Sequence, residues 1–245
     1  MKILIKNFTT IIYKSIFNLK KNNGLRALAY HSIVNKKSKD IWSLDLELFK
    51  EHISYFKKIN VLSSNILLND EIDDGIIITF DDGYKDNIEI AAPLLIENNI
   101  PFTIFVVTDF IKKNNKKFIN EVDLKKLSKN QLITIGSHSK SHPRLTQCND
   151  NDLKKEIFES KKYLEDILGR EIDKFAYPHG IFNQRVVDQV KNANYKLAFS
   201  SHYDVIKQKD NKFCVNRNEI WNTDNLTTLK SKINGDWDWL KYRKL

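Results

Sequence analysis

The sequence predicts an α/β protein whose parallel strands close, or nearly close, into a barrel. Three observations carry that expectation. Short β-rich runs alternate with amphipathic helical stretches along most of the chain. No Gly- or Pro-rich linker and no internal repeat divides it. Its 245 residues also suit one α/β barrel, a fold that reaches this length as a single unit.

The elements follow in order. "LRALAYH" (25–31) reads as a short apolar strand, and "DLELFKEHISYFKKI" (45–59) as an amphipathic helix with Asp45 as N-cap. "IIITF" (76–80) is a second strand, "DNIEIAAPLLIENN" (86–99) a helix that Pro93 starts or kinks, and "FTIFVVT" (102–108) a third strand. "EVDLKKLSKN" reads as helix, "LITIG" (132–136) as strand, "NDLKKEIFESKKYLEDILG" (151–169) as a helix closed by Gly169, and "KFAYP" (174–178) as strand. The helix "QRVVDQVKNAN" (184–194) and the strand "YKLAFSS" (195–201) complete the alternation.

Composition excludes several classes. Apolar residues make up 41% and charged residues 29%, which a disordered chain would not show. The two cysteines, Cys148 and Cys214, form no C-x-x-C pattern, so neither a disulfide framework nor a thiolate zinc site is expected, and a reducing compartment suits them. The net charge of +9 sits at one end: residues 1–39 hold nine Lys or Arg and no acid, leaving 31 charges of each sign elsewhere. A nucleic-acid partner is therefore not expected.

In that basic end, Leu4, Phe8, Ile11, Ile12, Ile16 and Leu19 recur at helical spacing, with Lys2, Lys6, Lys14, Lys20 and Lys21 mostly off the stripe. Residues 1–24 are read as a basic amphipathic helix and 25–245 as one folded domain. The apolar run is too short to span a bilayer and no small-residue cleavage site follows, so a cytoplasmic location is expected. Two seats fit residues 1–21: an anionic membrane face, where each nearby Lys contributes about 1 kcal/mol, or the protein's own domain.

The chemistry-bearing residues lie at strand ends. "TFDDG" (79–83) ends a strand on two adjacent carboxylates, which repel unless a cation or strong donors compensate them. Asp-Gly after a strand also signals a hairpin turn. "SHSKSH" (137–142) places His138 and His142 four apart after another strand, "YPHG" (177–180) ends a third, and His31 ends the first. In a parallel barrel all strand C-termini face one way, so these clusters meet at one mouth. Two imidazoles and one carboxylate then make a hydrolytic metal site, leaving the other aspartate to act as base.

"TFDDG", "SHSKSH" and "YPHG" resemble the first three motifs of the polysaccharide deacetylase family, the carbohydrate esterase 4 group with the NodB homology domain. The resemblance runs from about residue 25 to about residue 220. It implies a single-domain, NodB-like distorted (β/α)7 barrel that removes N-acetyl groups from amino sugars with Zn2+ or a similar divalent ion. It implies further that Asp81 is the catalytic base, that Asp82, His138 and His142 bind the metal, and that the His179 backbone N–H helps hold the oxyanion.

Two positions depart from the pattern. Many relatives carry an arginine two residues before the proline of the third motif, where this chain has Ala176; Arg217 is the candidate replacement, with a structural role as the alternative. No histidine follows His202 to serve as a late proton donor. "LAYHSIV" instead resembles the circularly permuted poly-N-acetylglucosamine deacetylase branch, which makes His31 the expected acid. His52 and His202 are expected to be structural. Trp221, Trp237 and Trp239 are candidates for stacking on sugar rings or for packing.

The expected substrate is an N-acetylated or N-formylated amino sugar on a nucleotide, lipid carrier or glycan, met during surface polysaccharide or lipopolysaccharide assembly. A catalytically impaired sugar-binding protein of the same fold, or a metal amidohydrolase acting on a small non-sugar amide, stay open from sequence.

Overall fold

The computed structural model describes residues 10, 24–69, 71, 73–113 and 115–243. The predicted N-terminal helix lies outside the described residues, apart from Gly24 and from Thr10. Thr10 is helical and buried, and its hydroxyl oxygen accepts a hydrogen bond from Trp239 Nε1 at 2.9 Å. Among the described residues no helix is long and apolar enough to cross a membrane.

Seven strands form one parallel sheet: β1 (Leu25–Tyr30), β4 (Gly75–Phe80), β5 (Phe102–Val106), β6 (Ile133–Ser137), β7 (Lys174–Ala176), β8 (Leu197–Phe199) and β9 (Arg217–Glu219). They are ordered β8-β7-β6-β5-β4-β1-β9. Val215 pairs with Phe199 just before β9 pairs with β1, so the sheet curls into a nearly closed barrel. A separate ribbon pairs β2 (Ser32–Val34) with β3 (Ser43–Asp45). This is the expected NodB-like distorted (β/α)7 architecture.

Helices α1 (Leu46–Phe56), α2 (Ala92–Glu97), α3 (Thr108–Lys112), α4 (Glu121–Leu127), α5 (Asp150–Leu168), α6 (Gln184–Asn192) and α7 (Leu226–Ile233) connect the strands or follow them. Asp45 caps α1 by accepting from Glu47 N, and Gly169 ends α5 with φ 63°, a left-handed conformation that glycine adopts without a Cβ clash. The helix expected at 86–99 is divided: a π turn over Asn87–Ala91 precedes α2, with Pro93 in its first turn.

Side chains alternate strictly across the sheet. Leu28, Tyr30, Ile76, Ile78, Phe80, Phe102 and Ile104 pack outward into the main core beneath the helices. Leu25, Ala27, Ile77, Phe105, Ala176, Leu197 and Phe199 fill the barrel interior. Gly136 belongs to the inner set: a Cβ there would lie 2.5 Å from the Phe105 ring, so glycine lets that ring occupy the barrel.

The sequence left the region after residue 201 largely without structure, and there the chain adds β9, α7 and a closing 3-10 turn, Asp238–Tyr242. Trp221 and Trp237 are buried with Tyr203 and Leu240, and Lys232 lies over both indoles while pairing with Asp224. These tryptophans are packing residues.

His52 is fully buried on α1. Its Nε2 lies 2.9 Å from the Asp224 carbonyl, which can only accept, so Nδ1 accepts from Tyr30 Oη at 2.9 Å. Burial, only partly opposed by the Asp224 carbonyl, lowers its pKa from 6.5 to about 4. Between those values the unfolded chain takes up a proton that the folded chain refuses, so stability falls as pH drops through this window. The expected contribution is up to about 3 kcal/mol. Urea unfolding from pH 7 to pH 4 measures it, and His52→Gln should flatten that slope relative to wild type.

Candidate active site

The same alternation that fills the barrel places the polar residues at its mouth. Ala27 and Ala29 on β1, Ile77 and Thr79 on β4, and Gly136 on β6 face inward, so His31, Asp81 and His138 are the next inward positions at the strand ends. Together with Asp82, His142, His179, Trp42, Gly180, Ser201 and Glu219 they line a pocket of about 320 Å³. That volume is at the small end of the ~300–1,000 Å³ typical of ligand sites.

Asp82 Oδ1 lies 3.7 Å from His138 Nε2 and 3.5 Å from His142 Nε2. The three residues offer ligand atoms all within 4.8 Å of one another. His138 Nδ1 is 2.8 Å from the Ala176 carbonyl, which fixes the proton on Nδ1 and leaves the Nε2 lone pair toward Asp82. Burial above all lowers the His138 pKa to about 4, favouring the neutral imidazole that a metal requires. The donor set, two imidazoles and a carboxylate lining one pocket, fits a divalent ion of the zinc type.

Asp81 belongs to a different pair. Arg217 Nη1 and Nη2 reach its two oxygens at 2.7 and 2.8 Å, a bidentate bridge between buried groups. Arg217 Nε donates to the Ser200 carbonyl at 2.8 Å, and Nη1 also reaches Thr79 Oγ1 at 3.1 Å. Burial by itself would raise the Asp81 carboxyl, but Arg217, His138 and His31 together hold it well below the usual carboxylate range. Arg217, the candidate replacement for the arginine absent at Ala176, is thus in direct contact with Asp81.

His31 lines the pocket with its ring 4.5 Å from that of Trp42, and its buried Nδ1 has no hydrogen-bond partner among the described residues. Its carbonyl accepts from Asn87 Nδ2 at 2.7 Å. The neighbouring Asp86 carboxylate takes Ser32 Oγ at 2.6 Å and Ile33 N at 3.0 Å, tying β2 to the Asp81 loop. His179 sits at φ 60° with its ring 4.5 Å from His142. His202 lies outside the pocket lining and packs against Phe182.

The loop between His138 and His142 is held from below. Glu156 accepts from Lys140 N at 3.0 Å, Ser141 N at 2.8 Å and Ser141 Oγ at 2.6 Å, and Ser139 Oγ accepts from His142 N at 3.0 Å. Asp82, Ser139, His142 and His179 all have φ between 60° and 70°. Such conformations cost about 1–3 kcal/mol each for residues other than glycine and concentrate at functional sites.

Sequence reasoning missed Glu156, Asp86, Asn87, Trp42 and Glu219. Glu156 had a signal: it falls on the buried stripe Leu153, Ile157, Ser160 and Leu164 of α5, where an unpaired carboxylate would be costly. Glu219 follows Arg217 by two and so shares its strand face. Trp42 had no such signal.

Fold and pocket define a barrel protein with a candidate site for one metal ion at its mouth. The polysaccharide deacetylase family model matches residues 69–198, more than half of the chain, and the chain belongs to that family. YxkH of Bacillus subtilis is 23% identical over 198 residues, covering 79% of this chain and 70% of that protein. A poly-β-1,6-N-acetyl-D-glucosamine N-deacetylase of Staphylococcus aureus is 26% identical over 151 residues, 57% of this chain and about half (52%) of the relative. Among solved structures, the Streptococcus pyogenes deacetylase PplD in complex with acetate superposes with a TM-score of 0.78 at 22% identity, covering 86% of this chain and 98% of that one. IcaB from Ammonifex degensii gives 0.76 at 18% identity, covering 87% and 98%. At these identities the superpositions establish the fold.

Two outcomes are expected. Arg217→Ala strands the Asp81 charge and should lower stability by about 3–5 kcal/mol, read by urea unfolding at pH 7. Glu156→Ala frees the histidine loop and should weaken zinc affinity about 10- to 100-fold, read by competition with a chromogenic chelator.

Proposed function

We propose that this protein is a metal-dependent N-deacetylase of N-acetylated amino sugars, acting in surface polysaccharide or lipopolysaccharide assembly. The observation that carries this reading is the convergence on one pocket of an arginine-clamped aspartate, a separate Asp-His-His set and an unengaged histidine. An amide is a poor electrophile, and its hydrolysis needs a polarised carbonyl, an activated water and an acid for the leaving nitrogen.

Asp82, His138 and His142 would hold the divalent ion, Zn2+ by donor type, which supplies the charge that polarises the acyl carbonyl and acidifies water. Asp81 takes the proton from the attacking water. Arg217 keeps Asp81 ionised and fixes its orientation, so the base is aimed before substrate arrives. The His179 backbone N–H contributes to the oxyanion site. His31, whose ring lines the pocket with its buried Nδ1 free of described partners, delivers a proton to the departing amine. With Arg217 on Asp81 and the whole polar set retained, a merely sugar-binding version of the fold loses its support.

The substrate is an amino sugar carried on a nucleotide, lipid or glycan, and the Staphylococcus aureus relatives point to β-1,6-linked N-acetylglucosamine as the first candidate to assay. An N-formyl group would yield to the same residues. The nine basic and no acidic residues in 1–39 favour action at the inner face of the cytoplasmic membrane.

Zinc-loaded protein should release acetate from one or more members of a panel of nucleotide-, lipid- and glycan-linked N-acetyl sugars. Asp81→Asn should lose at least about a hundredfold in turnover while keeping its zinc by elemental analysis. His138→Ala should lose the zinc itself. Release of acetate at the wild-type rate by Asp81→Asn would overturn the assignment of the base.

A further inference from the structure

Two side chains at the pocket mouth are left without a task by the hydrolytic chemistry. Trp42 and Glu219 both line the pocket, and neither offers a metal ligand to the Asp82, His138 and His142 set. The Trp42 backbone is fixed: its N–H donates to Asp40 Oδ1 at 3.2 Å and its carbonyl accepts from Ser32 N at 3.2 Å. The indole is partly exposed and rests against His31 with ring centroids 4.5 Å apart.

Glu219 is 8% exposed, and its carboxylate accepts one described hydrogen bond, from Arg243 Nη1 at 3.0 Å. Arg243 Nη2 also holds the Ser201 carbonyl at 3.0 Å, so the guanidinium joins two walls of the pocket. An ionised carboxylate has about four acceptor positions. Nearly buried, it needs further donors, and the cavity is where they would come from. Strand β9 makes the placement rigid: Glu219 pairs in register with Ala29 on β1, two residues before His31.

We propose that Trp42 and Glu219 form the subsite that holds the sugar ring: the indole covers an apolar ring face, and the carboxylate accepts hydroxyl hydrogen bonds. An indole supplies a flat apolar surface for the C–H face of a pyranose, and a carboxylate accepts two hydroxyls side by side. The pair selects amino sugars over small non-sugar amides by binding the portion of the substrate that does not react. This inference rests on the deacetylase reading above.

The test is steady-state acetate release by the full-length zinc protein from β-1,6-linked N-acetylglucosamine oligosaccharides. Trp42→Ala and Glu219→Gln should each raise KM about tenfold while changing kcat far less, the pattern of lost uniform binding. Trp42→Phe should recover most of the affinity, because a flat ring is restored. A kcat that falls with KM unchanged would place Trp42 with His31 in proton delivery and overturn the subsite, as would KM values within twofold of wild type. Wild-type protein that hydrolyses a small acetyl ester but none of the N-acetyl sugars would instead sink the deacetylase reading, and the subsite with it.

Discussion

The active-site mouth is organised around the buried pair of Asp81 and Arg217. Asp81 directly follows β4 and Arg217 opens β9, and these strands are not neighbours; β1 lies between them. On its inward face β1 presents Ala27 and Ala29, in register with Arg217 and Glu219 on one side and with Ile77 and Thr79 on the other. Two methyl groups leave the space that lets a guanidinium cross a strand and meet a carboxylate. Phe105 and Phe199 flank the guanidinium, with its carbon 5.5 and 6.0 Å from their centroids. The environment is apolar enough to make either partner alone costly and the pair self-consistent.

That constraint separates two adjacent aspartates into two chemical roles. Asp81 continues the inward alternation of β4 and is consumed by Arg217. Asp82 turns out of the strand at φ 70° and faces the histidines instead. The question raised by consecutive carboxylates at a strand end is therefore answered by two different sets of partners, a guanidinium for Asp81 and a histidine pair suited to share a metal ion for Asp82. The metal-side loops then take unfavourable backbone geometry, which Glu156 offsets by binding two backbone N–H groups and a hydroxyl of the histidine loop.

Much of this was readable in the chain, for physical reasons. Long β-branched runs and helices with clear caps survive without tertiary context, so the strands that carry Asp81, His138 and His31 were visible, and the parallel topology brought their ends together. β9 was not visible, because a three-residue strand with the sequence Arg-Asn-Glu has no hydrophobic period; its position is set by pairing with β1 and by the Arg217 N–H bond to the His202 carbonyl. Arg217 could be proposed only because Ala176 left a gap to fill. The tryptophans of the C-terminal region illustrate the opposite difficulty. An indole in sequence carries no sign of whether it faces core or cavity, and the indole that does face the pocket, Trp42, lies on a loop that no periodicity describes.

Ala176 deserves a different reading from that of a lost arginine. Its carbonyl fixes the tautomer of His138, a contact made by the backbone and so indifferent to side chain. Its methyl group joins Leu197 and Phe199 in the barrel interior. A long cationic side chain here would compete with Arg217 for that low-dielectric space and add a second buried charge beside Asp81, with one carboxylate to satisfy both. Alanine at 176 and arginine at 217 are thus complementary parts of one solution: β9 supplies the cation that clamps Asp81, and β7 lines the interior with a small apolar residue.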